Sequence, residues 1–245
     1  MAELPEPVSN QFVLNTLSLY YGPQVKIKIG SHFREYVVFK DLLCSKSSYF
    51  ATMFDGPFRE GKGQKATLEE GDGLSVCTFE SFIQWLYARE INFNAKDRSE
   101  RILNAIELAR VGDMWTVPEL EAPVAQYIKQ IILSNRSKGS NCNIDFISSE
   151  HIDSAYILPS EHPVRQVLAK ASVEAFMLAS SFKLLDAALE NPEFAADLIQ
   201  EFDGPFRKFF SRLMEMCTCN FRYKLFRDPF TGRVWPANDE DDYDL

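Results

Sequence analysis

The stretch between residues 37 and 61, VVFKDLLCSKSSYFATMFDGPFREG, constrains the fold of this chain more than any other. Its second half places four large apolar side chains at helical spacing: Tyr49, Phe50, Met53 and Phe54. They form one wide apolar stripe, which predicts a helix packed in a core. Ser47 or Ser48 is expected to cap the helix start, and Gly56, before Pro57, to end it in a left-handed conformation.

Short strands and longer helices surround this stretch. Residues 25–29 alternate apolar and charged side chains and residues 36–39 are β-branched in character, so together they predict a hairpin. Residues 67–68 predict another short strand. Helical spacing predicts three further helices in this half of the chain: over 74–87, from Asp97 to a stop at Gly112, and from a capping box at Thr116 to Ile131. We therefore expect an α+β fold with a small mixed sheet and a helical majority.

Changes in composition divide the chain into parts. The predicted parts are an N-terminal helix and lead-in (1–24), an α+β domain (25–133), a Ser/Asn-rich linker (134–160), a helical module (161–216), and an aromatic and basic segment with an acidic tail (217–245). The N-terminal helix has little sequence around it, so it needs a surface to cover. Both its own domain and a partner subunit remain open as that surface.

Composition excludes several classes of partner. Of 245 residues, 46% are hydrophobic and 20 are Phe, which is enough for a full core. The net charge of −9 argues against binding to nucleic acid or to an anionic membrane. We find no targeting segment and no apolar run of membrane-spanning length. Five scattered Cys, with Cys44 and Cys77 expected to be buried, favour a reducing location in the cytoplasm, the nucleus or both.

No motif in the sequence predicts catalysis. The chain lacks a phosphate-binding loop, a dinucleotide fingerprint and a nucleophile elbow. His32, His151 and His162 have no carboxylate or Cys partner at ligand spacing and are expected to be exposed. Cys217 and Cys219 lack the two further ligands that a zinc site requires. We therefore predict no enzyme, no metal and no cofactor, and we interpret the chain as an interaction module.

Several segments together resemble the BTB/POZ domain. They are VKIKIG, YVVFKDLLCSKSSYFATMFDGPFREG, LEEGDGLSVCTFESFIQWLY and ILNAIELARVGDMWTVPEL, and the resemblance covers residues 8–133. The later segment ENPEFAADLIQEF is similar to the helical tail of BTB proteins from filamentous fungi. The resemblance implies a BTB/POZ fold, a helical cluster with a small sheet, followed here by a C-terminal helical extension.

The resemblance also implies a function. BTB/POZ domains bind other proteins and often form homodimers partly through the N-terminal helix, so we expect an adaptor or scaffold that self-associates. Some members are substrate adaptors of cullin-3 ubiquitin ligases and others are transcriptional regulators, and both alternatives stay open. The candidate dimer residues are Phe12, Val13, Leu17 and Tyr20, and the candidate partner-binding residues are Lys40, Phe54, Phe79, Glu80 and Tyr87.

Three places depart from the family pattern. Many dimeric transcription-factor members carry Asp before the first strand, where this chain has Gln24. The family's His before Lys40 is Phe39 in this chain. The apolar-x-Glu triplet with which ligase recruiters often begin the long helix is Phe79-Glu80-Ser81.

Overall fold

A computed structural model describes residues 17–30, 34–71, 73–134, 144–178, 182–203, 226–227, 230 and 234–235. The chain divides into two compact units, the first comprising residues 1–92 and 110–120 and the second residues 93–109 and 121–245. No helix in the described ranges is both long enough and apolar enough to cross a lipid bilayer.

The first unit contains a mixed three-stranded sheet. Its strands are β1 (Gln24–Ile29), β2 (Glu35–Phe39) and β3 (Lys65–Leu68), in the order β2-β1-β3. β1 pairs antiparallel with β2 and parallel with β3, which confirms the predicted hairpin and the predicted third strand. Val25, Ile27 and Ile29 are fully buried, and the residues between them are exposed, as the period of two residues requires.

Short helices follow the sheet strands in the first unit. They are α1 (Lys40–Lys46), α2 (Ser48–Asp55), α3 (Arg59–Gly63) and α4 (Val76–Ala88), with a 3-10 turn at Leu17–Tyr20. The Ser47 side chain accepts a hydrogen bond from the Phe50 N–H at 3.2 Å, which confirms the predicted cap of α2. Gly56 is extended, with φ −74° and ψ 173°, so the expected left-handed end of α2 was wrong.

An aromatic cluster forms the core of the first unit. The Trp115 ring lies 5.0 Å from the rings of Phe50 and Phe82 and 6.0 Å from that of Phe79, measured between centroids. All four side chains are at most 1% exposed. The Ser47 hydroxyl donates to the Trp115 carbonyl oxygen at 2.6 Å, so the α2 cap is also tied to this core.

Helix α5 (Arg98–Met114) runs two residues past its predicted stop. Gly112 lies inside the helix, and a Cβ there would come within 2.9 Å of Leu120 Cδ2, so this glycine allows close packing and does not end the helix. Thr116 has φ 53°, a left-handed conformation, and a 3-10 turn at Pro118–Leu120 precedes α6 (Glu121–Ser134). An N-cap residue is typically extended, so the capping box predicted at Thr116 was wrong.

The second unit is mainly helical. After α6 it contains α7 (Ser149–Ala155), α8 (Pro163–Leu178), α9 (Leu185–Glu190), a further helix α10 at 192–203, and the antiparallel pair β4 (Phe226–Arg227) and β5 (Val234–Trp235). Helix α7 lies inside the interval 134–160 that was predicted as a linker. The predicted cap of α10 is present, because the Asn191 side chain accepts from the Phe194 N–H at 3.1 Å.

Two histidines of the second unit are buried, although the sequence predicted that they would be exposed. His151 is 2% exposed, and its Nδ1 accepts the Ser148 N–H at 3.0 Å, while its Nε2 lies 2.9 Å from the Ser99 carbonyl oxygen. His162 is 3% exposed, and its Nδ1 accepts the Val164 N–H at 3.2 Å. Both rings therefore satisfy backbone donors near the start of a helix.

A buried arginine ties together the end of the second unit. Arg165, on α8, is 2% exposed and binds Glu193 at 2.6 Å and Asp197 at 3.1 Å, both on α10. It also donates to the Leu158 carbonyl oxygen at 3.1 Å and lies over the Tyr156 ring at 4.2 Å. Burial disfavours the charged guanidinium, but the bonds to the two carboxylates outweigh this effect and raise the pKa of Arg165.

Candidate interaction surface

Lys40 is the first residue of α1, and its side chain binds groups of its own domain. Its ammonium group lies 2.7 Å from the Asp55 carboxylate and donates to the Phe54 carbonyl oxygen at 3.1 Å. Both acceptors are at the carboxyl end of α2, where a cation is favoured by the helix dipole. Only 17% of the Lys40 side chain is exposed. Lys40 therefore holds the start of α1 against the end of α2.

Phe54 and Phe79 lie in the core of the first unit. Their exposed fractions are 1% and 0%, respectively. Each belongs to the helical stripe that turns inward, so neither side chain offers a surface to a partner, which corrects the expectation that they bind one. A partner surface on this unit must be built from other residues.

Glu80 is the most exposed of the five candidate partner-binding residues, with 42% of its side chain accessible. Its carboxylate accepts from Arg34 at 2.7 Å and from the Tyr36 hydroxyl at 2.8 Å. Burial, reinforced by the bond to Glu80, raises the pKa of Tyr36. Glu80 thus joins α4 to the start of β2 while leaving part of its carboxylate accessible.

Tyr87 connects the N-terminal turn to the end of β2. Its hydroxyl accepts the Phe39 N–H at 3.0 Å, and its carbonyl oxygen accepts the Tyr20 hydroxyl at 3.3 Å. The Tyr20 and Tyr87 rings also meet edge to face with centroids 5.9 Å apart. The part of the candidate dimer element that is described therefore contacts its own domain through Tyr20.

The other candidate dimer residues cannot be placed. Phe12 and Val13 lie outside the described residues, and so does the side chain of Leu17, although the backbone of Leu17 belongs to the described 3-10 turn. Their role in self-association stays a prediction.

An open apolar groove beside α2 is the surface that the sequence did not reveal. Its volume is about 380 Å³, and Tyr49 and Phe58 are 37% and 52% exposed. The groove is lined by Ser48, Tyr49, Thr52, Met53, Phe58, Glu60 and Thr116. Burial, together with the Glu60 charge, raises the pKa of the Tyr49 phenol. The groove thus presents aromatic surface with one carboxylate among its lining residues.

The stripe on α2 is in fact two stripes. Phe50 and Phe54 are buried, while Tyr49 and Met53, each one position earlier, line the groove. Residues four apart share a helix face and adjacent residues do not, so the spacing alone contained this division. What the spacing could not provide is Phe58, which reaches the groove only because the chain leaves α2 in an extended conformation at Gly56.

Close backbone packing fixes the groove wall. A Cβ on Gly61 would collide with the Gly56 carbonyl oxygen and would lie 3.2 Å from that of Phe54. Only glycine therefore lets α3 approach the end of α2 this closely. This contact holds Phe58 and Glu60, at the start of α3, beside α2.

The described residues contain two free cysteines, Cys44 and Cys77. Cys77 is exposed, so its expected burial was wrong, whereas Cys44 is partly buried. Burial, followed by the charge of Asp55, raises the pKa of the Cys44 thiol to about 11, which keeps it neutral and unreactive at pH 7. No group of three or more His, Cys, Asp or Glu side chains in the described ranges is placed to hold a metal ion.

Comparison with known proteins decides the fold family of this region. The family model of the BTB/POZ domain matches residues 23–132. Residues 23–132 are therefore similar to the BTB/POZ domain. The mixed three-stranded sheet with its helical majority agrees with this assignment, so the predicted α+β BTB/POZ fold is confirmed. No curated protein matches the chain, so the likeness to fungal proteins stays a prediction.

The BTB/POZ match indicates that this region is a protein–protein interaction module. Domains of this kind bind other proteins, and the whole groove, from Ser48 to Thr116, lies within the matched residues. Tyr20 lies just before the match, next to Tyr87, which lies within it.

Proposed function

We propose that this chain is a non-enzymatic protein–protein interaction module that captures a partner in the groove beside α2 and acts as an adaptor or scaffold. The observation that carries the proposal is the groove itself, in which Tyr49 and Phe58 stay accessible although the domain has an ample core. Exposed aromatic side chains that share one concave surface are typical of binding sites.

The lining residues indicate what the partner segment looks like. An apolar side chain between Tyr49 and Phe58 would complete the burial of both rings. Burying a fully exposed ring gains about 1.5–3 kcal/mol, and these rings, which are 37% and 52% exposed, would each gain roughly a third to a half of that. Part of that gain is lost to the cost of association. A Lys or Arg of the partner would sit beside Glu60, and hydroxyl or amide groups would meet Ser48 and Thr52. The expected partner is therefore an apolar segment, such as one face of a helix, that carries a basic residue.

A cullin-3 N-terminal fragment is the first partner to test, because the resemblance includes ligase adaptors. Its affinity for the full chain is measured by isothermal titration calorimetry for wild type, Phe58→Ala and Glu60→Gln. If it binds in the groove, Phe58→Ala weakens binding about tenfold or more, as expected for an aromatic hot spot. Glu60→Gln weakens it by about threefold, as for an accessible ion pair.

Leu189→Ala is the matched control, because Leu189 is 73% exposed and lies on α9 in the second unit. Its affinity should equal that of wild type. Binding that is unchanged by Phe58→Ala would reject the groove, and a wild-type chain that binds no cullin-3 fragment would reject the ligase-adaptor role.

Self-association through the N-terminal residues is the second part of the proposal. Sedimentation of the full chain at micromolar concentration is compared with a Phe12→Glu variant and a deletion of residues 1–22. A charge at position 12 should shift a dimer to monomer while leaving the Tyr20–Tyr87 contact intact. A wild-type monomer at that concentration would contradict self-association.

A further inference from the structure

The solvent-facing side of the three-stranded sheet is rich in lysine. By the register of the strands, Lys26 lies directly opposite Lys65 on β3, and Lys28 follows on the same face of β1. All three side chains are on exposed positions. Across these strands the outward positions are Gln24, Lys26, Lys28, Glu35, Val37, Phe39, Lys65 and Thr67, with Glu35 as the only carboxylate among them.

Like charges directly opposite each other weaken a sheet. Glu35 pairs with Lys26 at 2.7 Å and so compensates one of the three lysines. The bond from Lys26 lowers the pKa of Glu35, and the charges of Lys26, Lys65 and Lys28 lower it further. Among the described residues, the pairing within the domain therefore leaves part of this positive charge uncompensated.

The same lysines border an open sheet edge. β3 has β1 as its only partner in the described sheet. The Lys26 N–H donates to the Gln64 carbonyl oxygen at 3.0 Å and the Gly30 N–H to that of Leu68 at 2.7 Å, so alternate residues of β3 face β1. The backbone groups of Lys65 and Thr67 consequently point away from β1, and in the described residues they find no hydrogen-bond partner.

We propose that the open edge of β3 is a second docking surface, which takes up an extended acidic segment of a partner protein as a fourth strand. This surface is separate from the groove beside α2, and the inference does not depend on the function proposed for the groove. The backbone of the added strand pairs with Lys65 and Thr67.

The alternation of side chains in a strand sets the sequence of that segment. Every second side chain of the added strand lies on the face of Lys65 and meets positive charge, so these positions carry Asp or Glu. The intervening side chains lie on the face of Ala66 and Leu68, which are both 7% exposed and apolar, so these positions carry Val, Ile or Thr. The net charge of −9 repels long polyanions, and this favours a short acidic peptide over nucleic acid or an anionic membrane.

The probe is a fluorescein-labelled peptide of eight residues that alternates Glu and Val, titrated with the full chain in low salt and followed by fluorescence anisotropy. We expect saturable binding that weakens as salt is added. A peptide that alternates Lys and Val should not bind. In NMR spectra of the isotope-labelled chain, the changes in amide chemical shift on adding the peptide should be largest at Lys65, Thr67 and their neighbours in β3.

Two pairs of variants test the backbone and the charges separately. Thr67→Pro removes an outward N–H that the β1 ladder does not use, and proline is tolerated at such edge positions. It should weaken peptide binding about tenfold or more, the loss expected when strand hydrogen bonds go, while its matched control Thr67→Val should bind as wild type does. Lys65→Gln and Lys26→Gln should each weaken binding by about two- to fivefold, as for accessible ion pairs, and circular dichroism checks that every variant is folded.

Four outcomes at the edge of β3, and a fifth at the groove beside α2, would overturn the proposal. The first is that the Glu-Val peptide does not saturate at chain concentrations of about 1 mM, and the second is that Thr67→Pro and Thr67→Val bind it with equal affinity. The third is that the chain binds duplex DNA or phosphatidylserine vesicles more tightly than the peptide. The fourth is that Lys65→Gln self-associates while its affinity for the peptide is unchanged. The last would mean that Lys65 only protects the edge from aggregation. Phe58→Ala must leave peptide binding unchanged, since a loss would place the peptide in the groove beside α2.

Discussion

The two units of this chain are stabilised in different ways. The first packs its largest side chains against each other around Trp115, with rings at 5.0–6.0 Å, and the buried Ser47 hydroxyl donates to the Trp115 carbonyl oxygen. The second buries the guanidinium of Arg165 and satisfies it with two carboxylates and a carbonyl oxygen. Apolar contacts are non-directional, whereas the Arg165 bonds require one orientation of α10 against α8. The core around Trp115 therefore depends on volume, and the contact of α8 with α10 depends on the geometry of a few polar atoms.

The largest effect should come from emptying the aromatic core. Trp115→Ala removes a fully buried indole from between Phe50 and Phe82, and we expect it to cost about 3–5 kcal/mol of unfolding free energy. Urea denaturation followed by circular dichroism measures the loss. The control is Ile199→Ala, a 60% exposed residue of α10, which should change stability by less than about 0.5 kcal/mol. Equal midpoints for the two variants would show that Trp115 is not central to the core.

The second largest effect on stability should come from the charged cluster of the second unit, formed by Arg165, Glu193 and Asp197. Arg165→Met keeps most of the volume but leaves Asp197, whose side chain is 20% exposed, without its cation. We expect a loss of about 2–3 kcal/mol, below the value for fully buried pairs because Glu193 and Asp197 remain partly in water. Adding Asp197→Asn should recover part of the loss, because the uncompensated carboxylate is then gone. A variant Arg165→Met as stable as wild type would mean that packing alone holds α10.

A single hydroxyl tests whether directional bonds matter in the first unit too. Ser47→Ala removes both the α2 cap and the donor to the Trp115 carbonyl oxygen, so we expect a loss of about 2 kcal/mol. Ser48→Ala, one residue later and exposed, should stay within about 0.5 kcal/mol of wild type in the same denaturation experiment. Similar losses for both serines would contradict the special role of Ser47.

The smallest effect is a pH dependence in the first unit. The Cys44 pKa is raised to about 11, so the folded chain keeps the thiol proton that the unfolded chain loses from pH 9 upward. This stabilisation is complete below pH 9 and is lost as the pH rises to 11. The loss should be roughly 1 kcal/mol, since partial exposure of the thiol reduces the ideal value.

Cys44→Ala is the control for this effect, and thermal unfolding between pH 8 and pH 11 is the measurement. The variant should lose less stability across that range than wild type does. The raised pKa values of Tyr36 and Tyr49 act in the same direction in both chains, so only the difference between the two curves is informative. Parallel curves would contradict the assignment to Cys44.

Features that depend on neighbours in sequence were predictable. The Ser47 and Asn191 caps join residues three apart, and the β1 alternation follows from a period of two. The BTB/POZ fold was predictable for the same reason, since its pattern of strands, caps and helical stripes can be read along the chain.

Features that depend on distant contacts were not predictable from the pattern. The groove exists because Phe58 lines it together with Tyr49. Phe58 reaches this position because the backbone of Gly56 is extended. Helix α7 is seven residues long, and its cap uses His151 where a sequence search expects Glu or Gln, so it was hidden in a predicted linker. The burial of His151 likewise depends on Ser99, which is 52 residues away.

The hydroxyl of Tyr87 gives the domain a built-in reporter of its N-terminal turn. The Phe39 amide is protected by this hydroxyl and not by a neighbouring strand, while Tyr20 binds the carbonyl oxygen of the same tyrosine. Release of the turn would remove one of the contacts that hold Tyr87 in place, and the Phe39 amide would exchange its proton for deuterium faster. A partner that pulls residues 17–20 away would thus be detectable from the isotope exchange of one amide in β2.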